Sequence, residues 1–531
     1  MNEWWRGAVI YQIYPRSFVD SNDDGVGDLP GIIGKLDYVA DLGVDGIWLS
    51  PFFPSPMKDF GYDVADYCDV DPLFGTLADF DRLVARAHEL GLKVIIDQVY
   101  SHTSDQHPWF RESRISRDSP RADWYVWADP KPDGTPPNNW LAVFGGVAWE
   151  WEPRRRQYYL HNFLKEQPDL NFHNPDVQKA ILAVAEFWLR RGVDGFRLDV
   201  ANFFTHDSQL RDNPPFPHPD PVKAYWLQRQ IYNRSRPETL HFVARFRALL
   251  DRYPGAMALA EIASDDPIGT TLAYIDGPER YHSAYSFVFL RRSFGAGFIR
   301  SSVEAMLAGS ARAWPSWAFS NHDVPRAVSR WYAGGDPAAF AKILIAVLTC
   351  LRGTAFLYQG EELGLPQAEV PFERLQDPEA KAFWPVYHSR DGARTPIPWR
   401  GDAGPAAGFS TVEPWLPVDP RHLPLAVDRQ EADSASVLGF TRYFLAWRKK
   451  RSALVTGEIV FLPTAEPILA FTRGNKTEKL LCAFNLGPEP VSFRPALNAD
   501  LIPVRGHGLP GHVDGDRLDL PPYGAVFAIP R

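Results

Sequence analysis

The sequence has few cysteines, no excess of positive charge and no long apolar run. Its 531 residues include three cysteines, Cys68, Cys350 and Cys482. They are widely spaced and form no CxxC motif, so we expect neither a disulfide framework nor a zinc site. The formal net charge of -9 provides no basic surface that would attract nucleic acid. These absences exclude a nucleic-acid partner and favour a reducing cytoplasm.

No stretch of the sequence reaches the roughly 18 consecutive apolar residues that a membrane span requires. The segment from Met1 to Arg6 has neither a basic n-region nor an apolar h-region, so export is not expected. We therefore predict a cytoplasmic protein with no membrane partner. Aromatic residues, by contrast, are abundant, with 18 Trp, 20 Tyr and 34 Phe. Aromatic faces beside polar groups suit sugar rings.

Short apolar runs alternate with segments of helical periodicity through most of the chain. This alternation is typical of βα units that build a parallel sheet. Eight such units over about 440 residues predict a TIM (β/α)8 barrel, in which the chemistry lies at the carboxyl ends of the strands. The eight predicted strands are 9–14, 46–50, 93–99, the run that ends in 195–200, 257–262, 284–289, 317–320 and 354–359.

Two segments depart from the barrel pattern. Between residues 103 and 170 the alternation stops and Pro, Gly, Trp and charged residues replace it, which predicts a small inserted domain. After a helix that ends near Lys450, alternating apolar runs predict an antiparallel β domain over residues 451–531. The barrel itself would then comprise residues 1–102 and 171–450.

Acidic residues recur where the predicted barrel strands end. Arg197 and Asp199 share one face of a strand because residues i and i+2 point the same way. A guanidinium beside a carboxylate lowers the pKa of that carboxylate and keeps it ionised, as a nucleophile requires. Asp97, Glu261 and Asp323 lie at or just after the ends of three other strands. A single acidic residue at a strand end is usually a helix cap, but four matches at one barrel face indicate a reaction centre.

These strand ends carry motifs that resemble those of the α-amylase family of glycoside hydrolases. The matching segments are DQVYSH from Asp97, GFRLDV from Gly195, AEI from Ala260, SNHD from Ser320 and the stretch from Gly353 to Glu361. The resemblance covers nearly the whole chain. Three further segments look like the oligo-1,6-glucosidase and α-glucosidase branch of that family: QPDLN from Gln167, FGYDVADY from Phe60 and RDGARTPIPW from Arg390.

The resemblance implies a role for each of three carboxylates. Asp199 would be the nucleophile, Glu261 the general acid/base, and Asp323 the carboxylate that holds sugar hydroxyls at the reaction centre. A retaining glycosidase needs two carboxyl groups about 5 to 5.5 Å apart, one ionised and one protonated. Arg197 favours the ionised form of Asp199, and the apolar neighbours of Glu261 favour a raised pKa for its side chain.

The resemblance also implies residues that bind the terminal glucose. His102 and His322 would donate hydrogen bonds to the sugar in the cleavage position, together with the neighbouring Arg197. Asp63 and Arg394 would form a pair that grips the outermost hydroxyls and closes the pocket, which would make the enzyme exo-acting. Candidates for apolar walls against the sugar are Tyr62, Phe144 and Phe163.

The loop Asp20–Asp28 places side-chain oxygens at every second residue and contains two glycines. It partly resembles an EF-hand loop without the distal glutamate, and the alternative to a cation site is a solvated acidic turn. Because glucosidases of this branch carry a similar loop, the resemblance implies a structural Ca²⁺ or Mg²⁺ ion. Its ligands would be Asp20, Asn22, Asp24, the carbonyl of Val26, and Asp28.

We therefore predict a retaining, exo-acting α-glucosidase that removes terminal α-1,4-linked or α-1,6-linked glucose from maltose, isomaltose and other short α-glucosides, with transglucosylation as a side activity. Val200 resembles the residue found in enzymes that prefer α-1,6 bonds, but one side chain discriminates by only about 1 to 3 kcal/mol. Sucrose isomerases and trehalose synthases are alternatives on the same scaffold, although Val324–Arg330 lacks the Arg-Leu-Asp-Arg-Asp pattern of sucrose isomerases. A non-catalytic transporter-associated subunit would need a membrane span and degraded catalytic positions.

Overall fold

The structure is a computed structural model that describes residues 3–217, 223–310, 312–387, 389–402, 404 and 406–531. Its strands, in chain order, are β1 Val9–Ile13, β2 Gly46–Leu49, β3 Lys93–Gln98, β4 Trp127–Ala128, β5 Trp149–Glu152, β6 Gln157–Leu160, β7 Gly195–Leu198, β8 Met257–Ile262, β9 Ser283–Ser286, β10 Ser316–Ala318, β11 Thr354–Tyr358, β12 Glu458–Phe461, β13 Ile468–Gly474, β14 Lys479–Asn485, β15 Val491–Phe493, β16 Leu501–Pro503, β17 His512–Asp514, β18 Arg517–Leu520 and β19 Ala525–Pro530.

The α-helices are α1 Leu29–Ile33, α2 Leu36–Asp41, α3 Leu77–Glu89, α4 Pro108–Ser113, α5 Pro175–Arg190, α6 Thr239–Leu250, α7 Pro267–Ile275, α8 Ala296–Gly309, α9 Ala327–Arg330, α10 Pro337–Cys350, α11 Pro378–Phe383, α12 Asp391–Arg394, α13 Val427–Glu431, α14 Val437–Lys449 and α15 Ser452–Thr456. No helix within these described ranges has the length and apolar character needed to cross a membrane.

Eight parallel strands close into a barrel in the order β1-β11-β10-β9-β8-β7-β3-β2. This confirms the predicted TIM barrel. Alternation of side chains along each strand divides the apolar residues between two cores. Inward residues such as Ile10, Trp48 and Ile95 fill the barrel, whereas their neighbours on the strands, such as Val9 and Ile47, pack against the surrounding helices. The barrel interior is therefore a packed core with polar residues above it.

The helices between the strands begin and end where the sequence has capping residues. Thr76 and Asp79 form a reciprocal capping box at the start of α3. Asn174 caps α5, whose first residue is Pro175. After α5, Gly192 adopts a φ of +92°, a left-handed conformation that ends the helix and directs the chain into β7. Local chemistry thus sets the position of the strand that carries Arg197.

Two local features depart from a simple βα pattern. Between β1 and β2 the helical segment is divided into α1 and α2, because the chain turns at Gly34 and Lys35. The sixth barrel strand, predicted over residues 284–289, ends at Ser286. The hydroxyl of Ser286 accepts a hydrogen bond from the amide of Val288 and so starts a short 3₁₀ helix, Phe287–Phe289.

Further sheets lie outside the barrel. Strands β4, β6 and β5 form a small antiparallel sheet within the segment predicted as an inserted domain. Near the carboxyl end, antiparallel sheets of order β12-β13-β14-β19-β16 and β15-β18-β17 agree with the predicted β domain. The residue numbers at which we divide these domains stay a prediction.

Candidate active site

Arg197 holds three carboxylates together above the barrel core. Its Nη1 atom lies 2.9 Å from Asp97 Oδ1 and 2.6 Å from Asp199 Oδ1, and its Nη2 atom contacts Glu261 Oε1. The register of the sheet explains this arrangement, because Asp97 pairs with Arg197, and Arg197 pairs with Leu259, two residues before Glu261. All three strands present these positions to the barrel interior. The two carboxylates predicted to react therefore share one guanidinium.

Burial governs the acidity of this cluster. It raises the pKa of Glu261 to about 8 and the pKa of Asp199 to about 7, although Arg197 lowers both. Arg197 lowers the pKa of Asp199, as expected, but burial outweighs this effect and leaves the pKa above its ordinary value. Glu261 is still the weaker acid of the two. That order is the one required of a proton donor beside a nucleophile.

The residue after the predicted nucleophile has an unusual backbone. Val200 adopts a φ of 34° and a ψ of 49°, a left-handed conformation that is rare for a β-branched residue. Its amide donates a hydrogen bond of 3.0 Å to Glu261 Oε2. Strain of this kind is retained where the surrounding structure requires it, typically at functional sites. Here the turn aims a backbone donor at the predicted acid/base.

Asp323 lies in a strongly cationic environment. Its Oδ1 atom is 2.8 Å from Arg394 Nη2 and 3.5 Å from Arg390 Nη1, and its Oδ2 atom is 3.3 Å from His322 Nε2. Burial raises the pKa of Asp323, but His322, Arg394 and Arg390 together hold it well below its ordinary value. Asp323 is therefore an ionised carboxylate at neutral pH.

A single cavity of about 290 Å³ contains the reactive side chains. Asp199, Glu261 and Asp323 line it together. Of the other predicted sugar contacts, four also line this cavity: Tyr62, His102, Phe144 and Phe163. The rings of Phe144 and Phe163 are 5.7 Å apart and form one apolar wall. The cavity thus has carboxylates at its floor and aromatic rings at its side.

The two predicted histidines occupy different positions. His102 lines the cavity, and its Nε2 atom lies 3.0 Å from the carbonyl oxygen of Tyr62. His322 is fully buried, and its ring stacks 5.4 Å from that of Tyr62, with Nε2 2.6 Å from the tyrosine hydroxyl. Burial lowers the pKa of His102 to about 4 and that of His322 to about 3, so both rings are neutral. His322 therefore supports Tyr62 and Asp323 from behind.

The predicted pairing of Asp63 with Arg394 is wrong. Asp63 is fully buried and accepts hydrogen bonds from the hydroxyl of Ser55 and the amides of Lys58 and Asp59, which fold its own loop. Arg394 contacts Asp323 and donates to the carbonyl of His322 at 2.7 Å. Asp63 is therefore a structural residue, and Arg394 positions Asp323.

The same two segments supply a different pair. Arg390 Nη2 lies 3.1 Å from Asp59 Oδ1, and both residues line the cavity. The guanidinium of Arg390 also lies 5.0 Å from the ring of Phe144 and contacts Asp377 at 2.8 Å. Each member of this pair precedes the residue that we predicted by four positions. The predicted segments are therefore correct, but Asp59 and Arg390 line the cavity, whereas Asp63 lies outside its wall and Arg394 lies behind Asp323.

Other cavity residues carried no motif in the sequence. Val143, Phe203, Lys223, Tyr225, Arg234, Ala263, Phe287, Glu379 and Tyr387 line the cavity as well. Most of them lie in irregular connections where neither helical nor strand periodicity marks a position. Sequence patterns offered no way to find them.

The predicted metal loop folds around its own amides. Asp20 accepts hydrogen bonds from the amides of Asp23 and Gly25, each at 2.8 Å, and from the hydroxyl of Ser410 at 2.6 Å. Asp28 caps helix α1 through the amide of Gly31. Asn22 and Asp24 contact each other at 3.2 Å. Among the residues that the structure describes, no group of three or more His, Cys, Asp and Glu side chains is arranged to hold a metal ion.

Comparison with known proteins finds relatives over almost the whole chain. The model of the alpha-amylase catalytic domain matches residues 12–457. The chain is 53% identical over 540 residues to a probable alpha-glucosidase of Rhizobium meliloti (strain 1021), covering 99% of this chain and 97% of that protein. It is 39% identical to an oligo-1,6-glucosidase of Heyndrickxia coagulans, covering 93% and 94%. The solved structure of the alpha-glucosyl transfer enzyme XgtA matches with a TM-score of 0.97 and 55% identity over 100% of both chains.

Proposed function

The chain belongs to the α-amylase family of glycoside hydrolases, and we propose that it is a retaining, exo-acting α-glucosidase that acts on short α-1,4-linked and α-1,6-linked glucosides. The observation that carries this proposal is the contact of one guanidinium with both Asp199 and Glu261 in the wall of a single cavity. Adjacent nitrogens of Arg197 hold the two carboxylates close together. A retaining glycosidase requires a short carboxyl separation of this kind, whereas an inverting enzyme leaves room for a water molecule between the two groups.

In the first step Asp199 displaces the leaving group. Arg197 occupies the Oδ1 atom of Asp199, which leaves Oδ2 for attack on C1 of the terminal glucose. The bond between C1 and the leaving oxygen breaks, and Glu261 transfers its proton to that oxygen. The product is a glucosyl ester on Asp199, and Glu261 is left as a carboxylate. The raised pKa of Glu261 supplies the proton that this step needs.

In the second step Glu261 acts as a base. It takes a proton from an incoming hydroxyl, whose oxygen attacks C1 and releases Asp199. Water as the acceptor gives free glucose with retained configuration. A sugar or alcohol as the acceptor gives a new α-glucoside, so the same intermediate supports transglucosylation. The similarity of this chain to XgtA, an alpha-glucosyl transfer enzyme, supports this second outcome.

The exo mode of action rests on Asp59 and Arg390. These side chains pair at 3.1 Å in the cavity wall, and Arg390 also reaches Asp323 at 3.5 Å. Charged donors and acceptors of this type bind the hydroxyls of a terminal glucose. A pair that links two loops also blocks the passage of a continuing chain. Val200, next to Asp199, resembles the residue of enzymes that prefer α-1,6 bonds. One side chain discriminates weakly, so the proposal includes both α-1,4 and α-1,6 activity.

A structural Ca²⁺ or Mg²⁺ ion in the loop Asp20–Asp28 belongs to the same proposal. Its support is the chemistry of the donor set, because Asp20, Asn22, Asp24, the Val26 carbonyl and Asp28 offer only oxygen atoms, which both cations prefer. The ion would stabilise the loop beside Ser410. It has no part in either chemical step.

The cytoplasmic location is also a proposal. Cys68, Cys350 and Cys482 are all free thiols, which suits a reducing compartment. Small α-glucosides are the partners that the cavity favours, and the net charge of -9 does not favour nucleic acid.

Chromatography of products from sucrose, maltose, isomaltose and trehalose tests the proposed function. We expect glucose from maltose and isomaltose, with glucosylated products at high sugar concentration. The Asp199→Asn variant provides the blank. Isomers of sucrose as the main products would instead establish the sucrose isomerase alternative. Trehalose as the main product from maltose would establish the trehalose synthase alternative.

A further inference from the structure

Lys223 and Glu379 form a buried ion pair in the wall of the cavity. Lys223 Nζ contacts Glu379 Oε1, and the two residues are 5% and 3% exposed. Both line the same cavity as Asp199 and Glu261, but neither contacts the carboxylates at its floor. Neither residue takes part in the two chemical steps of the proposed reaction.

The pair joins two segments that are remote in sequence. Lys223 lies in the connection between β7 and β8, and Glu379 lies in α11, after β11. Connections that follow the carboxyl ends of barrel strands rise above the floor of the site. The ion pair therefore ties two of these connections together at the level where the leaving group must lie, because the terminal glucose occupies the floor.

Aromatic rings enclose the ammonium group. Lys223 Nζ lies 4.1 Å from the centre of the Tyr387 ring and 5.6 Å from that of Phe383. Phe383 in turn packs against the inserted segment, where a Cβ atom at Gly145 would lie only 2.9 Å from its ring. The wall thus consists of three chain segments in contact, with the charged pair and Phe383 at their junction.

A short chain of contacts links this wall to the glucose-binding groups. Asp377 accepts a hydrogen bond of 3.0 Å from the amide of Glu379, and it contacts Arg390 at 2.8 Å. Arg390 then reaches Asp59 and Asp323. A shift of Glu379 would therefore move Asp377 at the start of α11 and, through it, Arg390 in the cavity wall.

Stability alone gives little reason for such a pair. Replacement of a buried ion pair by apolar residues is often neutral or stabilising, whereas removal of one partner is strongly unfavourable. A charged pair does, however, fix the relative position of the two segments that carry it. The cavity of about 290 Å³ is also at the lower end of the range for small-molecule pockets, about 300 to 1,000 Å³.

We propose that the Lys223–Glu379 ion pair is a specificity determinant. It holds the cavity wall closed over the leaving group and thereby restricts the leaving group to one or two sugar units. The inference rests on the proposed α-glucosidase function. Longer chains would have to displace this wall, so the pair disfavours them without touching the reacting atoms.

The test compares kcat/KM for maltose and maltopentaose in Lys223→Met, Glu379→Gln and the charge-swapped double variant Lys223→Glu/Glu379→Lys. Each single change should raise the ratio of maltopentaose to maltose about tenfold, the size of effect that one pocket contact produces. The double variant should return the ratio toward that of the native enzyme. Glu413→Gln is the matched control, because it breaks an exposed pair with Arg374 outside this cavity.

Two further measurements keep the outcome decisive. Tyr387→Ala removes the ring over Lys223 without leaving a buried charge unpaired, and it should raise the same ratio if the single variants do not fold. Calorimetric affinities for maltose and maltopentaose in an Asp199→Asn background report the restriction without turnover. An unchanged ratio in folded variants would overturn the inference. A native enzyme that releases no glucose from any α-glucoside would refute the proposed function, while the affinity ratio would still decide the role of the pair.

Discussion

Arg197 Nη1 lies 2.6 Å from Asp199 Oδ1, two residues along the same strand face. The other side of the guanidinium contacts Glu261, so one buried cation positions both carboxylates. Burial nevertheless leaves Glu261 with a pKa of about 8 and Asp199 with a pKa of about 7. The protonation order that the reaction requires thus arises from desolvation and a shared cation together.

Replacement of Asp199 by Asn should lower kcat for p-nitrophenyl α-glucoside by several orders of magnitude, because a neutral amide cannot form the glucosyl ester. The two side chains have nearly the same shape, so circular dichroism and Tm should show a folded protein. A variant with near-native rate would reject Asp199 as the nucleophile.

The Glu261→Gln variant should lose about 10² to 10⁴-fold in kcat/KM on maltose, the usual contribution of general acid catalysis. The loss should be smaller for p-nitrophenyl α-glucoside, because p-nitrophenolate leaves without a proton. Equal losses on the two substrates would argue against proton donation by Glu261.

The pH dependence of kcat/KM follows from the two raised pKa values. The attacking Asp199 must be ionised, so the rate should fall as the pH drops through about 7. The donor Glu261 must be protonated, so the rate should fall as the pH rises through about 8. Because the two groups interact, the limbs report apparent values of the pair. Initial rates on maltose from pH 5 to pH 10 measure both limbs, and a basic limb that persists in Glu261→Gln would contradict the assignment.

Stability should change with pH in the opposite sense to that produced by an acid whose pKa is lowered on folding. The folded state retains a proton on Glu261 up to about pH 8, above the range in which the unfolded chain releases it. The folded state therefore binds more protons in this window, and the free energy of unfolding falls as the pH rises. Glu261→Gln should reduce this fall, measured as Tm at pH 5 and at pH 9. An identical change in Tm for both proteins would show that Glu261 is not the buried acid responsible.

The variants Asp59→Asn and Asp63→Asn together test which aspartate binds the terminal glucose in the exo-acting pocket. Asp59→Asn weakens the contact with Arg390 in the cavity wall and should raise the KM for maltose about tenfold or more. Asp63→Asn affects a buried loop contact and should lower Tm with a smaller effect on KM. The reverse pattern would restore Asp63 as the sugar ligand.

A chelator tests the proposed cation. Incubation with EDTA should lower Tm, and addition of Ca²⁺ or Mg²⁺ should restore it, by the amount that binding to the folded state alone provides. The Asn22→Ala/Asp24→Ala variant, which removes two exposed ligands, should show a lower Tm that neither treatment changes. A native Tm that is insensitive to EDTA and to both cations would reject a metal in this loop.

The barrel could be predicted because its pattern is local. Alternation of buried strands with capped helices depends on residues that are close together in the sequence. The i, i+2 spacing of Arg197 and Asp199 likewise places them on one face. The pairing of Asp59 with Arg390 could not be predicted in this way. It joins residues 331 positions apart, and loop geometry selects Asp59 over Asp63.

Neither the pKa values of the carboxylates nor the residues of the outer cavity wall could be predicted from the sequence, for related reasons. The sequence shows that Arg197 is near Asp199, but the net pKa depends on how many carboxylates share the guanidinium and how little water remains. Lys223 lies in an irregular connection and Glu379 in the short helix α11, and neither segment has a periodicity that marks a site residue. Both properties are set by packing between distant segments.

The most direct test is mass spectrometry of the enzyme after reaction with 5-fluoro-α-glucosyl fluoride, which slows release of the glucosyl ester. Peptide mapping should find one fluoroglucosyl group on the peptide that contains Asp199, and none in the Asp199→Asn variant. A label on any other residue, or no label together with β-glucose as the first product from maltose, would contradict the double-displacement mechanism.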